Sequence, residues 1–307
     1  MAPTPYIQPV SKSTTVFKDD IFKGKVLFCT GGGSGICKGM TEAVMRHGAN
    51  AAIVGRKFDR LTAAAKELES LTGKVCLPVQ ADVRKPESIR EAVRQTIEKF
   101  GRIDFVINGA AGNFLAPIGG LSENAFRTVI EIDLLGSYHT IKATLPYVRE
   151  SKGAYINVST TIQYHGTAYQ AHVSAAKAGI DALNRVVAVE EGPRGVRSNV
   201  LSPGPISGTE GMERLTATDE SGKLLVPHEP APAGRMGTVE DCGSFTVFLF
   251  SDVASYVSGG VFVLDGAHEN VRNQMVPYPE AVLDPEAFKK KLAQAQEKID
   301  AKAKSKL

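Results

Sequence analysis

Short apolar runs alternate with helix-like segments along most of this chain, and this alternation restricts its fold more than any other feature. The apolar runs end in glycine, proline or polar residues, as buried strands do, and the segments between them carry helical spacing or helix-start signals. We predict strands at 26–30, 51–54, 75–79, 103–107, 155–159, 196–201 and 261–264. We predict helices at 35–47, 58–71, 86–100, 122–149, 169–191 and 238–250. Strict alternation predicts an α/β fold with a doubly wound, parallel seven-stranded sheet and helices on both faces.

The length and composition fit one large domain of this kind. The chain has 307 residues, of which 43% are hydrophobic and 22% are charged. We predict a flexible N-terminal arm at 1–20, a Rossmann-type domain at 21–270 and a C-terminal extension at 271–307. The stretch at about 204–234 is too long for a passive connection, so we predict a lid over a ligand site, with a short helix near 209–216. No apolar run approaches the ~20 residues of a membrane helix.

The net charge of +3 comes from the C-terminal tail. The segment 285–307 holds seven lysines against three acidic residues, so the rest of the chain is close to neutral. This distribution provides no basic face for a nucleic acid. The cysteines are scattered without metal-ligand spacing, so we predict buried free thiols and no zinc site. They are Cys29, Cys37, Cys76 and Cys242.

A glycine-rich loop follows the first predicted strand and opens the first predicted helix. It has the sequence Thr30-Gly31-Gly32-Gly33-Ser34-Gly35-Ile36-Cys37. Glycines let the backbone approach a pyrophosphate, and the helix N-terminus favours its negative charge. The position between strand and helix favours a dinucleotide site over a plain tight turn. The cofactor-binding residues predicted here are Gly31, Gly33, Ser34, Gly35 and Ile36.

The end of the second strand indicates which dinucleotide is bound. A site specific for NAD usually places an acid here to bind the ribose 2′-hydroxyl, whereas basic residues accommodate a 2′-phosphate. This chain has Arg56 and Lys57, which favours NADP(H) over NAD(H), although a solvated pair of loop residues is the alternative. Asp59 lies past the strand end, where we expect it to cap the next helix.

The ends of the third and fourth strands carry further candidate cofactor contacts. Asp82 could bind the adenine amino group with help from the Val83 backbone, or it could be a turn residue before the next helix. Asn108 and Ala110 belong to a run of small residues that can pass close to the nicotinamide ribose. A plain glycine turn is the alternative for that run.

Together these motifs resemble the short-chain dehydrogenase/reductase family over roughly residues 20–270. The resemblance extends to a helix carrying Lys177 and to the run Ser202-Pro203-Gly204-Pro205. It implies that Lys177 binds the ribose of the nicotinamide half and that Pro203, Gly204 and Ile206 line the cofactor site. The residue four before the lysine, usually tyrosine, is Val173. In the usual pair the side chains lie one helical turn apart, and the ammonium lowers the pKa of the phenol that protonates a carbonyl oxygen.

A narrower resemblance explains the missing tyrosine. The segments 108–117 and 202–211 are similar to those of the peroxisomal branch of the 2,4-dienoyl-CoA reductases, which also lack it. This similarity implies NADPH-dependent reduction of a 2,4-dienoyl-CoA to a 3-enoyl-CoA in the auxiliary β-oxidation of unsaturated fatty acids. Such a substrate needs hydrogen-bond donors at the thioester oxygen and a proton at the α-carbon, not a phenol. The alternatives are a reductase of another acyl-CoA or carbonyl compound, and a non-catalytic dinucleotide-binding scaffold.

Two acids are candidates for holding a water as the proton source, and the same resemblance implies this role. Asp133 lies in an otherwise apolar predicted helix, where the wider family usually has asparagine, and Asp265 follows the last strand. A solvated helix residue is the alternative for Asp133. Tyr164 and Tyr169 lie thirteen and eight residues before Lys177 rather than four, so we do not expect them to replace the phenol. Candidate substrate contacts are Asn113, Phe114, Ser159 and Thr160.

The C-terminal extension predicts a helix and a cellular address. Asp284-Pro285-Glu286 has the residues of a helix start, and apolar residues recur at helical spacing after it. These residues are Phe288, Leu292, Ala295 and Ile299. Ser305-Lys306-Leu307 matches an address read by the peroxisomal import receptor, which predicts the peroxisomal matrix; a solvated tail is the alternative. The family resemblance implies a homo-oligomer, dimer or tetramer, packed through the helices at 122–149 and 169–191.

Overall fold

A computed structural model describes residues 10, 12–209, 212 and 231–271, together with residues 283, 284, 286, 287, 290, 291 and 294. The described residues form two compact units. The larger unit takes its residues from 10–212 and 237–265, and the smaller from 231–236 and 266–294. All strands and the helices that cover them belong to the larger unit.

Strands and helices alternate as predicted, with boundaries that differ from the prediction by about one or two residues. The strands are β1 (Val26–Thr30), β2 (Asn50–Gly55), β3 (Cys76–Gln80), β4 (Phe105–Asn108), β5 (Ala154–Val158), β6 (Arg197–Pro203) and β7 (Val261–Leu264). The helices are α1 (Gly35–Arg46), α2 (Phe58–Thr72), α3 (Pro86–Phe100), α4 (Glu123–Ile130), α5 (Gly136–Ser151), α6 (Ala171–Glu191) and α7 (Val239–Phe250).

The seven strands form one parallel sheet in the order β3-β2-β1-β4-β5-β6-β7, so the predicted fold class is confirmed. The direction of strand order reverses between β1 and β4. Ligands of doubly wound sheets bind outside the carboxyl ends of the strands at this reversal. We therefore expect a binding site at the loops after β1 and β4.

The sheet is covered by one apolar cluster on each face. Successive side chains of a strand point to opposite faces, and β1 shows this with Leu27 and Cys29 in one cluster and Phe28 in the other. The first cluster includes Met40 of α1, and the second includes Ile89 of α3. All five residues of β1 are buried, which explains why its sequence is almost uninterruptedly apolar.

The helix predicted at 122–149 is divided by a π-helical turn. Glu131–Leu135 forms this turn between α4 and α5. A π turn inserts one extra residue into the helix and locally changes the direction of its side chains, and such turns are frequent at functional sites. Asp133 lies at its centre and is fully buried, so the alternative of a solvated helix residue is wrong.

All four cysteines are buried and free, as predicted.

Several further expectations concern the C-terminal part of the chain, which lies partly outside the described residues. The Asp284 carboxylate accepts a hydrogen bond from the Ala287 amide at 3.0 Å, the contact expected of a helix N-cap. Most of the predicted lid and its short helix, the apolar residues of the C-terminal helix and the terminal tripeptide lie outside the described residues. No described helix is long and apolar enough to span a membrane.

Candidate active site

The glycine-rich loop after β1 lies against the loop after β4. Gly31 has a φ of +74°, and an added Cβ atom would lie 2.7 Å from the carbonyl oxygen of Gly109, so a larger residue does not fit. The Thr30 hydroxyl accepts hydrogen bonds from the amides of Gly109 at 3.1 Å and Ala110 at 3.3 Å. This hydroxyl, which our sequence analysis did not single out, ties the two loops together where the strand order reverses.

The N-terminus of α1 completes a cradle for a pyrophosphate. Ser34 is the N-cap residue and Gly35 begins the helix with a φ of +55°. An added Cβ at Gly33 would lie 3.2 Å from the Leu61 side chain, so this position also has little room. The first amides of a helix have no partner within the helix, and they bind anions readily. The predicted loop residues therefore lie together in a site that fits the phosphates of a dinucleotide.

Two basic side chains lie at the next strand end. Arg56 and Lys57 are both exposed directly after β2, and the Arg56 carbonyl accepts a hydrogen bond from Gln80 at 2.9 Å. Lys57 occupies the N-cap position of α2 and Asp59 lies in its first turn. The expectation that Asp59 caps this helix is therefore wrong: it lies two residues inside the cap, where its charge still complements the helix dipole.

Asp82 forms a local turn with the basic residue two positions later. The Arg84 guanidinium donates to both carboxylate oxygens, with Nη2 2.6 Å from Oδ2 and Nε 3.0 Å from Oδ1. These hydrogen bonds lower the pKa of Asp82, and the nearby charge of Arg56 lowers it further. The Asp82 backbone amide also donates to Ser88 at 3.1 Å. This geometry favours the turn-residue alternative for Asp82.

Other predicted cofactor residues have side chains in the protein interior. Val83, Asn108 and Ile206 are all buried. Asn108 donates to the Asn157 side chain at 2.8 Å, and Ile206 packs into the first apolar cluster. Asn108 Oδ1 is also buried and accepts no hydrogen bond from the described residues. Pro203 ends β6, and the Gly204 amide donates to the Leu264 carbonyl at 3.0 Å.

A buried ion pair joins Lys177 and Asp133. The lysine Nζ lies 3.1 Å from Asp133 Oδ2, with side-chain exposures of 6% and 0%. The same Nζ donates to the Val158 carbonyl at 3.0 Å, and Asp133 Oδ1 accepts from the Gly112 amide at 2.8 Å. The pair thus connects the ends of β4 and β5 through two side chains that the sequence analysis named as candidate site residues.

Close helix packing brings the two charges together. An added Cβ at Gly179 would lie 2.7 Å from the Leu134 side chain, so a residue without a side chain allows α6 to approach the π turn. Asp133 precedes Leu134, and Lys177 lies two residues before Gly179. The isolated charges would be costly to bury, and each is stable here because the other neutralises it.

No tyrosine replaces the missing phenol among the described residues around Lys177. Val173 packs in a small apolar cluster with Val129 and Ala176. The Tyr164 hydroxyl instead donates to Asp181 at 3.2 Å, and burial raises the pKa of Tyr164. Tyr169 is exposed. The arrangement therefore has a lysine and a carboxylate where the usual pair has a lysine and a phenol.

The predicted substrate contacts lie on the loops after β4 and β5. Gln163 donates to the Ser159 hydroxyl and to Asp181, each at 3.0 Å, and Thr160 accepts from Ser202 through its carbonyl at 2.6 Å. Gln163 and Asp181 were not found by sequence analysis, because nothing local marks a residue whose partners lie on other elements.

Asn113 and Phe114 belong to the loop after β4. Asn113 Oδ1 is buried and accepts no hydrogen bond from the described residues. The Phe114 ring is 38% exposed and packs on the imidazole of His172, with ring centroids 4.3 Å apart. His172 was also missed by the sequence analysis, although it adjoins Val173.

Asp265 lies farther along the same edge of the sheet. It follows β7 and lies beside Gly204, where an added Cβ would be 2.6 Å from the Asp265 Cβ. The Lys177–Asp133 pair contacts the ends of β4 and β5, whereas β7 is two strands beyond β5. Two strand spacings amount to about 10 Å. Asp265 therefore stays a predicted residue of the site, separated from the ion pair.

The parallel sheet, the glycine cradle at its point of reversal and the buried lysine on α6 define a dinucleotide-dependent oxidoreductase of the Rossmann class. A family model described as enoyl-(acyl carrier protein) reductase matches residues 31–267. The chain is 47% identical to the peroxisomal 2,4-dienoyl-CoA reductase of Saccharomyces cerevisiae, named as producing (3E)-enoyl-CoA, over 87% of this chain and 92% of that protein. It is 44% identical to the peroxisomal 2,4-dienoyl-CoA reductase of Danio rerio over 84% of this chain and 85% of that protein.

Solved structures agree with these sequence relationships. A short-chain dehydrogenase from Bacillus anthracis matches with a TM-score of 0.70 and 36% identity, covering 83% of this chain and 100% of the other. The chain therefore belongs to the short-chain dehydrogenase/reductase family, and the predicted resemblance is confirmed. Membership indicates a nicotinamide dinucleotide as the cofactor.

Proposed function

We propose that this protein reduces 2,4-dienoyl-CoA to 3-enoyl-CoA with NADPH, in the auxiliary β-oxidation of unsaturated fatty acids. The observation that carries the proposal is the buried Lys177–Asp133 pair, together with Val173 in place of a phenol. The names of the yeast and fish relatives support the substrate class and the position of the product double bond.

The chemistry of the substrate accounts for the missing phenol. When bound, NADPH supplies a hydride to the end of the diene farthest from the thioester. Negative charge then develops on the thioester oxygen, and a proton must reach the α-carbon. The site must therefore stabilise an oxyanion and orient a proton donor, and neither task requires a tyrosine.

The ion pair is suited to both tasks. Lys177 provides a fixed positive charge, held in place by the Val158 carbonyl and Asp133. A buried charge acts more strongly on a developing oxyanion than a solvated one does. Asp133 is fixed by the Gly112 amide, and its carboxylate can accept a hydrogen bond from a water near the α-carbon. Asp265 is proposed to contact the same water network from the end of β7.

The residues present fit the cofactor. The loop Thr30–Cys37 and the first turn of α1 would hold the pyrophosphate, and Lys177 would bind the hydroxyls of the nicotinamide ribose. Arg56 and Lys57 are exposed and free of acidic hydrogen-bond partners among the described residues, which supports a 2′-phosphate and thus NADPH over NADH.

The direct test is oxidation of NADPH by the purified protein with a medium-chain 2,4-dienoyl-CoA. A 3-ketoacyl-CoA and a 2-enoyl-CoA serve as controls, and NADH is compared with NADPH. We expect turnover with the dienoyl thioester alone and a preference for NADPH. Turnover with the ketoacyl thioester alone would instead identify a carbonyl reductase. Binding of NADPH without turnover of any substrate would identify a non-catalytic scaffold.

We also propose that the protein is imported into the peroxisomal matrix through Ser305-Lys306-Leu307. The names of the yeast and fish relatives support this location. Lys306→Glu is expected to turn a punctate fluorescent fusion diffuse, because the import receptor reads this tripeptide. Lys302→Glu makes the same charge change outside the tripeptide and is expected to stay punctate. The fluorophore is placed at the N-terminus, and punctate K306E protein would refute the proposed address.

The exposed faces of the central helices support assembly into a homo-oligomer. Leu135, Tyr138, Val186 and Val189 are all exposed, with Val189 75% exposed on α6. Large apolar side chains grouped on a helix face favour a protein–protein contact. We propose a dimer or tetramer packed through these helices, as the family resemblance implies.

A further inference from the structure

One side chain in the candidate site lacks the contacts that its burial demands. His172 is fully buried at the start of α6, and neither ring nitrogen makes a hydrogen bond of good geometry with the described residues, although the Phe114 backbone carbonyl is near enough to raise the pKa of the imidazole. Buried polar groups in proteins nearly always have a partner, whether from the protein or from an ordered water. The imidazole of His172 therefore indicates a place for a hydrogen-bonding ligand.

A second unsatisfied atom belongs to the neighbouring acid. Asp133 Oδ2 is buried and lies 3.1 Å from Lys177 Nζ, but it accepts no hydrogen bond of acceptable geometry from the described residues. Burial lowers the pKa of His172, and the nearby Asp133 carboxylate opposes this shift. His172 and Asp133 are thus close enough to interact electrostatically, and both adjoin the loop after β4.

The imidazole lies between an aromatic ring and an ion pair. The Phe114 ring packs against it, with an angle of 40° between the ring planes. Asp133 on the π turn acts on it electrostatically, and Asp133 is itself paired with Lys177 on α6. A water that bridges two buried polar groups needs two to four polar partners, and His172, Asp133 and Lys177 together supply them.

We propose that His172 is a positioning residue that holds, together with Asp133, the water that protonates the substrate. The proposal rests on the proposed dienoyl-CoA reduction. A neutral imidazole donates its N–H to the water oxygen, and the Asp133 carboxylate accepts one of the two water hydrogens. The second water hydrogen is then directed at the α-carbon. As the C–H bond forms, that O–H bond breaks, and a proton from solvent restores the water.

The ionisation state of His172 supports positioning rather than direct proton donation. Because burial lowers its pKa from the ordinary value, the imidazole is neutral at neutral pH and is a weak acid. A neutral ring still offers one N–H donor, which suffices to orient a water. An amide side chain of similar length offers the same donor, whereas an apolar side chain offers none.

The first test compares three variants with the wild-type enzyme. His172→Leu is expected to lower kcat with 2,4-dienoyl-CoA about 100-fold, in the lower part of the range for general acid–base effects, and to change the solvent deuterium isotope effect. The KM for NADPH is expected to stay within about twofold. His172→Gln is expected to recover most of the lost turnover. His47→Leu is the control and is expected to affect only thermal stability. His47 is also fully buried, but its Nε2 lies 3.0 Å from Ser13 Oγ and its Nδ1 lies 3.2 Å from the Lys18 carbonyl oxygen.

Two kinetic results would overturn the proposal. The first is that His172→Leu keeps the kcat and the isotope effect of the wild-type enzyme. The second is that His172→Leu and His172→Gln lose turnover equally.

A second readout, which does not depend on activity, is the NMR titration of the His172 imidazole. Its signal is assigned among the six histidines by its loss in His172→Gln. Asp133→Asn is expected to lower the pKa of His172. An unchanged titration would refute the pairing, whereas an inactive wild-type enzyme with the expected NMR shift would refute only the dienoyl-CoA assignment.

Discussion

Asp133→Asn is expected to lower kcat with 2,4-dienoyl-CoA by about 100- to 10,000-fold, the range for loss of general acid–base assistance. The dissociation constant of NADPH is expected to change by no more than a few-fold, because Asp133 contacts Lys177 and the loop after β4 rather than the glycine cradle. Asparagine keeps an oxygen that can accept from the Gly112 amide, so the substitution removes mainly the charge. Steady-state kinetics and NADPH fluorescence titration measure the two effects.

The matched control is Glu131→Gln. Glu131 is the other acid of the same π turn, but it is only partly buried and lies outside the ion pair. Its neutralisation is expected to leave kcat within about twofold, because a partly solvated charge outside the ion pair contributes little. If both variants retained full turnover, Asp133 would have no part in the proton transfer. If both lost it equally, the effect would belong to the π turn and not to the carboxylate.

The sequence predicts the sheet well because its five central strands are largely buried on both faces. Val26–Thr30 is a continuous run of mostly apolar residues ended by glycines, and the structure places β1 at the same residues. Segments with this pattern have few alternative positions, since both faces of a parallel strand lie in the core. Strand order within the sheet is not encoded in any one segment, and only the structure gives it.

The π turn was not predicted from the sequence, because it changes the helical period within a segment that otherwise has the pattern of one helix. The pattern around 122–149 has the spacing of one long helix, and only the acid within it signals an irregularity. Burial of Asp133 was inferred from its apolar neighbours, and the structure confirms this burial. Its ion pair with Lys177 could not be inferred, because the partners are distant in the chain and meet only where Gly179 lets two helical segments approach.

Other residues take their roles from contacts that the sequence does not identify. Asp82 has the position of an adenine-binding acid and accepts hydrogen bonds from Arg84 on both carboxylate oxygens, and its contact with adenine stays a prediction. Thr30 and His172 carry no local signal, since a threonine at a strand end and a histidine at a helix start are common in any fold. Thr30 matters because its hydroxyl joins two loops, and His172 matters because its buried ring nitrogens have no hydrogen bond of good geometry with the described residues. Both properties exist only in the folded chain.

Lys177→Met is expected to destabilise the protein by about 3–5 kcal/mol, because it leaves the Asp133 carboxylate buried without its counter-charge. The same variant is expected to lose turnover and, unlike Asp133→Asn, to bind NADPH more weakly, since Lys177 is proposed to hold the nicotinamide ribose. Urea unfolding measures the first effect and fluorescence titration the last. A stable Lys177→Met protein with normal NADPH affinity would contradict both roles of the lysine.

A double variant measures the coupling energy between Lys177 and Asp133. The double variant Asp133→Asn/Lys177→Met removes both charges and leaves neither one unpaired. We therefore expect its loss of unfolding free energy to be about 1–3 kcal/mol smaller than the sum of the losses in the two single variants. The exposed pair Arg94–Glu98 on α3, with a 2.9 Å contact and exposures of 62% and 70%, provides the control cycle. Its coupling is expected to stay below about 1 kcal/mol. An equally small coupling for Lys177 and Asp133 would mean that water screens this pair, and a screened lysine could not stabilise the developing charge on the thioester oxygen.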